Sequence, residues 1–323
     1  MTTPRTTGCV WTGLLPVDKP VGPTSHDVVA RARRALGTRA IGHLGTLDPG
    51  ASGLLVLLVG PATRCARVWQ GGEKLYEGRA RFGLVTDSQD GSGRVLEDRD
   101  ARPTEADVRA AAVALTGELL QVPPMVSALK VGGRRLHELA RNGETVERAP
   151  RAVRVAAWEW LAFEGREAAF RVRCSGGTYV RTLVHDLGAR LGCGAALIAL
   201  RRLASAPFSL AGACPHERLE PLGADEALAR HGVPLDRALE VLPAIALDAA
   251  GEIALGHGRP VAVPAAAAPA TAPGAGAPWV VLRDAQGRAL ALGELAAAEA
   301  PGGAALVRPQ VVFPWAVRAG RAA

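Results

Sequence analysis

The chain has 323 residues, 48% of them hydrophobic, a formal charge of +7 and a sequence pI of about 9.7. That length and apolar content exclude a disordered chain and predict a folded protein of two domains, while the charge points to a polyanionic partner, most simply nucleic acid. No apolar run reaches membrane-spanning length, and five cysteines without CxxC spacing predict reduced thiols in a cytoplasmic protein, not a zinc site or a disulfide frame.

Residues 1–10 contain no apolar signal-type segment and read as a flexible N-terminus. The segment 14–17 (LLPV) predicts a strand, followed by a turn at Asp18-Lys19-Pro20. Thr24 or Ser25 caps a helix over 26–36, with an apolar stripe of Val28, Val29, Ala32, Ala35 and Leu36; Arg31, Arg33 and Arg34 project from it. Next comes "GHLGTLDPGASGLLVLLVG", residues 42–60, which sets one carboxylate, Asp48, in a Gly-rich turn ahead of a buried strand, Leu54–Val59. Pro61 opens a helix to about Trp69. Residues 74–84 alternate, with Tyr76, Ala80 and Phe82 on one face and Glu77, Arg79 and Arg81 on the other.

Thr104 and Asp107 begin a helix that Gly117 ends. Residues 121–150 hold Pro123-Pro124, Gly132-Gly133, a short helix near 134–142 and several arginines, and read as an inserted, exposed arm. Strands follow near 152–162 and 167–174. Thr178 is the candidate cap of a helix with stripe Val180, Leu183, Val184, Leu187 and Leu191. Leu200-Arg201-Arg202 leads into another strand, and a helix near 222–231 closes the first domain, 11–244. The second, 245–316, reads as a small β-barrel built from "GEIALGHGRPV", "WVVLRDAQGRALALGEL" and "ALVRPQVVF". A low-complexity Ala/Pro/Gly loop interrupts it at 262–278, and 317–323 form a tail.

The composition carries a sharper signal. Among 38 Lys and Arg residues, lysine occurs only at 19, 74 and 130, and the two tyrosines are Tyr76 and Tyr179. A lysine kept in so Arg-rich a chain marks a place where a compact ammonium is needed. All five sparse residues lie in or beside the motifs quoted next.

"GHLGTLDPGASGLL" resembles the catalytic motif of the TruB family, the bacterial tRNA pseudouridine-55 synthases. "LLPVDKPVGPTSHD", "KLYEGRARFGLVTDSQDGSG", "VPPMVSALKVGGRRLHELARNG", "CSGGTYVRTLVHDLGARLG" and "LRRLASAPF" resemble its other motifs in collinear order, and the C-terminal strands resemble a PUA domain. The resemblance covers roughly residues 11–315. It implies an α+β fold: a pseudouridine-synthase catalytic domain with a mixed, mainly antiparallel sheet flanked by helices, an inserted RNA-binding arm and a PUA-like barrel. It implies isomerisation of uridine to pseudouridine in the T-loop of tRNA, with the target base flipped out. Asp48 would be the catalytic carboxylate, Arg181 its ion-pair partner, and Tyr76 the stacking wall with a role in proton handling. His43, Tyr179, Leu200, Lys19 and Lys130 would contact substrate, and Arg31/Arg33/Arg34, Arg134/Arg135 and Arg201/Arg202 would grip phosphates.

The reaction gains and loses no atoms, and the sequence offers no metal or cofactor motif. The expected partner is tRNA, through its T-arm and elbow; the expected state is a monomer with no membrane or protein partner. Two alternatives stand beside this: a synthase acting on another RNA or with a guide RNA, and an RNA-binding or tRNA-folding protein without essential catalysis. Removing residues from about 245 onward is expected to weaken tRNA binding and leave the Asp48 site assembled.

Overall fold

A computed structural model describes residues 11–127, 129–131, 133–136, 139, 144, 146–264, 279–296 and 305–319. Strand β1 (Gly13–Lys19) pairs antiparallel with β3 (Ala51–Val59), from Gly13 opposite Val59 to Lys19 opposite Gly53. Asp18 and Lys19 thus extend the strand, where the sequence reading placed a turn: the partner strand continues far enough to satisfy their backbone. Helix α1 (Ser25–Ala35) starts at Thr24 with a capping box, the Thr24 hydroxyl accepting from the Asp27 N–H and the Asp27 carboxylate accepting from the Thr24 N–H. Val28, Val29 and Ala32 are buried, as their spacing requires. The short β2 (Ile41–His43) runs back along β3.

Strand β3 is covered on both faces, which is why its sequence is a continuous apolar run and not an alternation. Leu55, Leu57 and Val59 join the core beneath α1, while Leu54, Val56 and Leu58 join a second core on the other side. After β3 the single helix expected from Pro61 is two pieces, a 3₁₀ segment Gly60–Cys65 and one α-turn Arg67–Gln70; no side chain caps either start. Strand β4 (Lys74–Phe82) buries Lys74, Tyr76, Ala80 and Phe82 on one face. The small hairpin β5 (Leu84–Thr86) and β6 (Val95–Asp98) follows. Helix α2 (Glu105–Val113) starts at Thr104 as expected but ends at Ala114; Gly117, at φ +94°, opens β7 (Gly117–Gln121) instead.

Strand β7 pairs with β8 (Arg151–Glu164), Gln121 lying opposite Arg151, so residues 122–150 are an insertion between two paired strands. Within it Lys130–Val131 pairs with Arg134–Arg135, and most of the helix expected near 134–142 lies outside the described residues. Strand β9 (Glu167–Cys174), helix α3 (Val180–Arg190) and strand β10 (Ala195–Ser205) complete the frame of the main sheet. The order β1-β3-β10-β4-β9-β8-β7 is mainly antiparallel, with β3 and β10 parallel, matching the mixed sheet expected from sequence. The N-cap of α3 is Tyr179, without a side-chain cap, and not Thr178. Helix Leu219–His231 packs on α1 and is kinked at Gly223, and the one-turn helix Leu235–Ala238 follows it.

Among its described residues, the C-terminal part forms a five-stranded sheet in the order Ala244–Ala246, Trp279–Arg283, Ala289–Ala296, Ala305–Val312, Val261–Val263. "GEIALGHGRPV" is mostly helix, not strand: Ala249–Gly256 is capped by Asp248, whose carboxylate accepts from the Gly251 N–H at 2.7 Å. In an Ala-rich stretch with one β-branched residue, the cap and helix propensity outweigh the turn-like glycines. Of the loop read at 262–278, Ala262 and Val263 belong to a strand and 265–278 lie outside the described residues, as do residues 1–10. Helix Pro314–Ala319 runs into the segment read as a tail.

The two parts share a core. Val281, Leu292 and Val311 of the C-terminal sheet and Phe313 just after it pack with Leu14, Leu54, Leu58 and Trp69 of the first. Arg64 also donates to the carbonyl of Val312 at 2.8 Å. Removing residues from 245 onward, expected to leave the Asp48 site assembled, would also uncover apolar side chains on one face of β1 and β3. Among the described residues, no helix is long and apolar enough to cross a membrane.

Candidate active site

Asp48 sits in the loop between β2 and β3, and that loop is braced from several sides. Leu44 and Leu47 are buried anchors. The Ser25 hydroxyl, at the start of α1, donates to the Leu47 carbonyl at 3.0 Å and accepts its N–H at 2.9 Å. The Ala51 N–H donates to the Asp48 carbonyl at 3.0 Å, and Gly22 N–H to the Pro49 carbonyl at 2.9 Å. The Asp-Pro-Gly turn is thus real turn chemistry, used to hold one carboxylate at a fixed place.

Arg181, in the first turn of α3, meets that carboxylate. Its Nη1 lies 3.1 Å from Asp48 Oδ2 and 3.3 Å from Asp90 Oδ2, and its Nη2 donates to the carbonyl of Val126. Burial raises the Asp48 pKa above the usual 3.8; Arg181 opposes this, Asp90 adds to it and Lys19 opposes it. Asp90 behaves in the other direction. Burial works against its charge, yet hydrogen bonds from Ser92 and Ser88, with Arg181, hold it below the usual carboxylate range. Ser88 Oγ, Ser92 Oγ and Ser92 N–H donate to Asp90 Oδ1 at 2.7, 2.6 and 2.9 Å. The two carboxylates around one guanidinium are therefore unlike: Asp90 is a fixed anion and Asp48 the more easily protonated one.

Tyr76 lies on β4 opposite Arg202 of β10 and is buried. Burial raises its phenol pKa, opposed by the Arg202 charge and by a hydrogen bond from that side chain. Arg202 is itself 1% exposed and donates through Nε to the Leu54 carbonyl at 2.7 Å and through Nη2 to the Gly45 carbonyl at 3.1 Å. It cannot grip a phosphate, and that expectation is corrected: Arg202 is an internal brace linking β10, β3 and the Asp48 loop. Gly53, at φ +97°, permits this approach, because a Cβ there would stand 2.3 Å from the Arg202 carbonyl oxygen.

Two of the three scarce lysines, Lys19 and Lys74, are buried. Lys19 is fully buried, with Nζ 2.9 Å from the Pro20 carbonyl; burial lowers its pKa to about 8, opposed by Asp48. Its ammonium is electrostatically coupled to Asp48. Lys74 is also buried, donating to the Gln70 and Gly72 carbonyls, each at 3.2 Å. The Lys130 side chain lies outside the described portion.

His43, at the end of β2, has its ring 5.8 Å from that of His26, edge to face. Burial lowers its pKa, aided by His26 and Arg202, which keeps the imidazole neutral. The Tyr179 ring faces the Arg181 guanidinium at 5.7 Å. Leu200 is half-buried on β10, between Ala51 of β3 and Gly78 of β4.

The basic clusters are less free than their spacing implied. Arg31 and Arg34 both pair with Glu220, and Arg33 donates to the Ile41 carbonyl. Arg134 pairs with Glu144, while Arg201 pairs with Asp18 at 2.7 Å. The Arg135 side chain lies outside the described portion. Sequence reasoning missed Asp90 and Gln121. Asp90 hides in "TDSQDGSG", where an Asp among Ser and Gly reads as a turn former. Gln121 carries no local signal at all.

Residues 33–180 match the model described as TruB family pseudouridylate synthase (N terminal domain), and residues 181–240 that of the tRNA pseudouridylate synthase B C-terminal domain. Among curated relatives, the tRNA pseudouridine synthase B of Opitutus terrae is 52% identical over 211 residues, 65% of this chain and 88% of that one. That of Pseudomonas fluorescens is 40% identical over 286 residues, 88% of this chain and 91% of that one. Among solved structures, a Cbf5-Nop10-Gar1 complex aligns at a TM-score of 0.71 with 26% identity, covering 97% of this chain and 92% of that one. The chain belongs to the TruB family of pseudouridylate synthases.

Proposed function

We propose that the chain converts uridine to pseudouridine in tRNA, at position 55 of the T-loop, as a monomer in the cytoplasm and without a cofactor. The family membership and the 40–52% identical relatives named tRNA pseudouridine synthase B support the isomerase activity and the tRNA substrate. The observation that carries the reading is the ion pair between the buried Arg181 and the half-exposed Asp48.

In the reaction the N1–C1′ bond breaks, the uracil turns, C5 bonds to C1′, the C5 proton leaves and N1 regains one. A single carboxylate at C1′ or at the sugar suffices for this, either by direct attack or by way of a glycal. Arg181 keeps Asp48 ionised when a nucleoside closes over it and removes water. Tyr76 forms the wall on which the flipped base stacks, with Leu200 and Tyr179 bounding the remainder, and His43 lines the place the base leaves. The arm at 122–150 and the PUA-like C-terminal sheet grip the folded T-arm and elbow, mainly by shape.

The stand-alone form is favoured over guide-RNA dependence: the solved H/ACA neighbours share only 26% identity, while the relatives named tRNA pseudouridine synthase B reach 40–52%. Pseudouridine mapping in cellular tRNA, with and without this protein, tests the reading. Loss of the modification at position 55 alone is expected; an unchanged map would sink it.

A further inference from the structure

Helix α3 delivers Arg181 to the site, yet its start has no cap of its own. Tyr179 is the N-cap residue and makes no side-chain cap bond. In a capping box the third helical residue would reach back to the N-cap N–H; here that residue, Thr182, donates instead to Gln89 Oε1 at 2.7 Å. The missing partner comes from a strand 58 residues away in sequence. Gln121 Oε1 accepts the Tyr179 N–H at 2.8 Å, and Gln121 Nε2 donates to the Tyr179 carbonyl at 3.1 Å. That carbonyl also accepts the first helical bond, from Leu183 N–H at 3.1 Å.

Gln121 is well placed for this. It is 4% exposed, and it ends β7 opposite Arg151, where the inserted arm leaves the sheet. Five residues on, the Val126 carbonyl accepts from Arg181 Nη2. The root of the arm therefore touches the start of α3 twice, once at Tyr179 and once at Arg181.

We propose that Gln121 is a positioning residue for the Asp48–Arg181 pair, acting through the backbone of Tyr179, and that it ties this pair to the root of the arm. The proposal rests on the isomerase reading above. The backbone N–H and carbonyl of Tyr179 are both held by one amide, so the first turn of α3 cannot rotate without breaking two part-buried hydrogen bonds. Arg181 lies two residues further on, and its Nη1 must stay within reach of Asp48 and Asp90 together. Without Gln121 the turn is free to shift, and a small displacement of a reacting group lowers rate steeply.

The test uses the full-length protein and unmodified tRNA. Gln121→Met keeps the side-chain length and removes both hydrogen bonds; Gln121→Asn keeps the amide but stops one methylene short of Tyr179. Three quantities are compared with wild type: the melting temperature, the tRNA dissociation constant, and the pH dependence of the single-turnover rate at saturating tRNA. The groups facing Asp48 are Arg181 from α3, Asp90 from the loop after β5, and Lys19 from β1. Only Arg181 moves with α3, and its withdrawal raises the Asp48 pKa. The expected result is tRNA affinity within a few-fold of wild type, a rate lower by about 10- to 100-fold and an acid limb displaced to higher pH. A wild-type rate and limb in both folded variants overturns the proposal. So does a rate that falls only in step with the folded fraction while the limb stays in place, or loss of the fold in both variants, since each makes Gln121 a general structural residue. A wild-type protein that makes no pseudouridine would instead defeat the isomerase reading.

Discussion

Arg181 is 4% exposed, while Asp48, whose carboxylate it holds at 3.1 Å, is 46% exposed. The charge that stabilises the pair is locked in the protein, and the charge that can react faces outward. Arg181 also holds Asp90 at 3.3 Å, so its orientation does not depend on Asp48 alone. The arrangement leaves the guanidinium in place when Asp48 engages substrate.

Replacing Asp48 by Asn should remove chemistry and leave RNA binding. Loss of a reacting group of this kind costs about 10³-fold or more in rate. Tritium release from [5-³H]uridine tRNA, with filter binding in parallel, measures both. Near-normal turnover would end the assignment.

The rate should fall at low pH as Asp48 takes a proton, with an acid limb above the ordinary 3.8 because burial raises this carboxylate. Arg181→Gln removes the opposing charge, so the limb should move to still higher pH. An unchanged limb in that variant would separate Arg181 from the ionisation of Asp48.

Lys19 gives a stability prediction of definite sign. Its pKa falls from 10.5 to about 8 on folding, through burial. Between those two pH values the unfolded chain binds a proton there that the folded chain does not, so this residue makes stability rise with pH. Urea unfolding of wild type and Lys19→Met at several pH values isolates the effect, since the other titrating groups are common to both. The wild type should gain on the variant from pH 8 to pH 10; a constant difference would mean that Lys19 is not desolvated.

Tyr76 separates stacking from proton handling. Tyr76→Phe keeps the ring, so it should fold and bind tRNA, while turnover drops by about 10²-fold if the hydroxyl moves a proton. Tyr76→Leu should also lose stacking, worth about 1–3 kcal/mol per base, and be slowed beyond what its lower melting point explains. A phenylalanine variant with wild-type turnover leaves the hydroxyl only its contact with Arg202.

Truncation after residue 244 should destabilise what remains. It uncovers Leu14, Leu54, Leu58 and Trp69, which pack on Val281, Leu292, Val311 and Phe313. The shortened chain should aggregate or melt well below the full-length protein in a thermal scan. A soluble fragment with an unchanged melting temperature would show that the shared core contributes little.

The sequence by itself determined the local elements whose signals are local. The Thr24–Asp27 capping box, the alternation that buries Tyr76, Ala80 and Phe82, and the hairpin of Trp279–Arg283 with Ala289–Ala296 all follow from residues near one another. The resemblance carried by ordered motifs singled out Asp48 and Arg181, which the structure brings to 3.1 Å; the rarity of lysine singled out Lys19 and Lys74 without telling that they are buried. Only the tertiary structure decided what each cation does. Arg202 looked like its neighbour Arg201, yet strand alternation turns one to Asp18 at the surface and the other under Gly45 and Leu54. Asp90 and Gln121 gained their meaning the same way. Their partners, Arg181 and Tyr179, lie 91 and 58 residues away. Hydrogen bonds over such separations exist only once the fold has brought the β5–β6 loop, β7 and the start of α3 together, and no pattern along the chain encodes them.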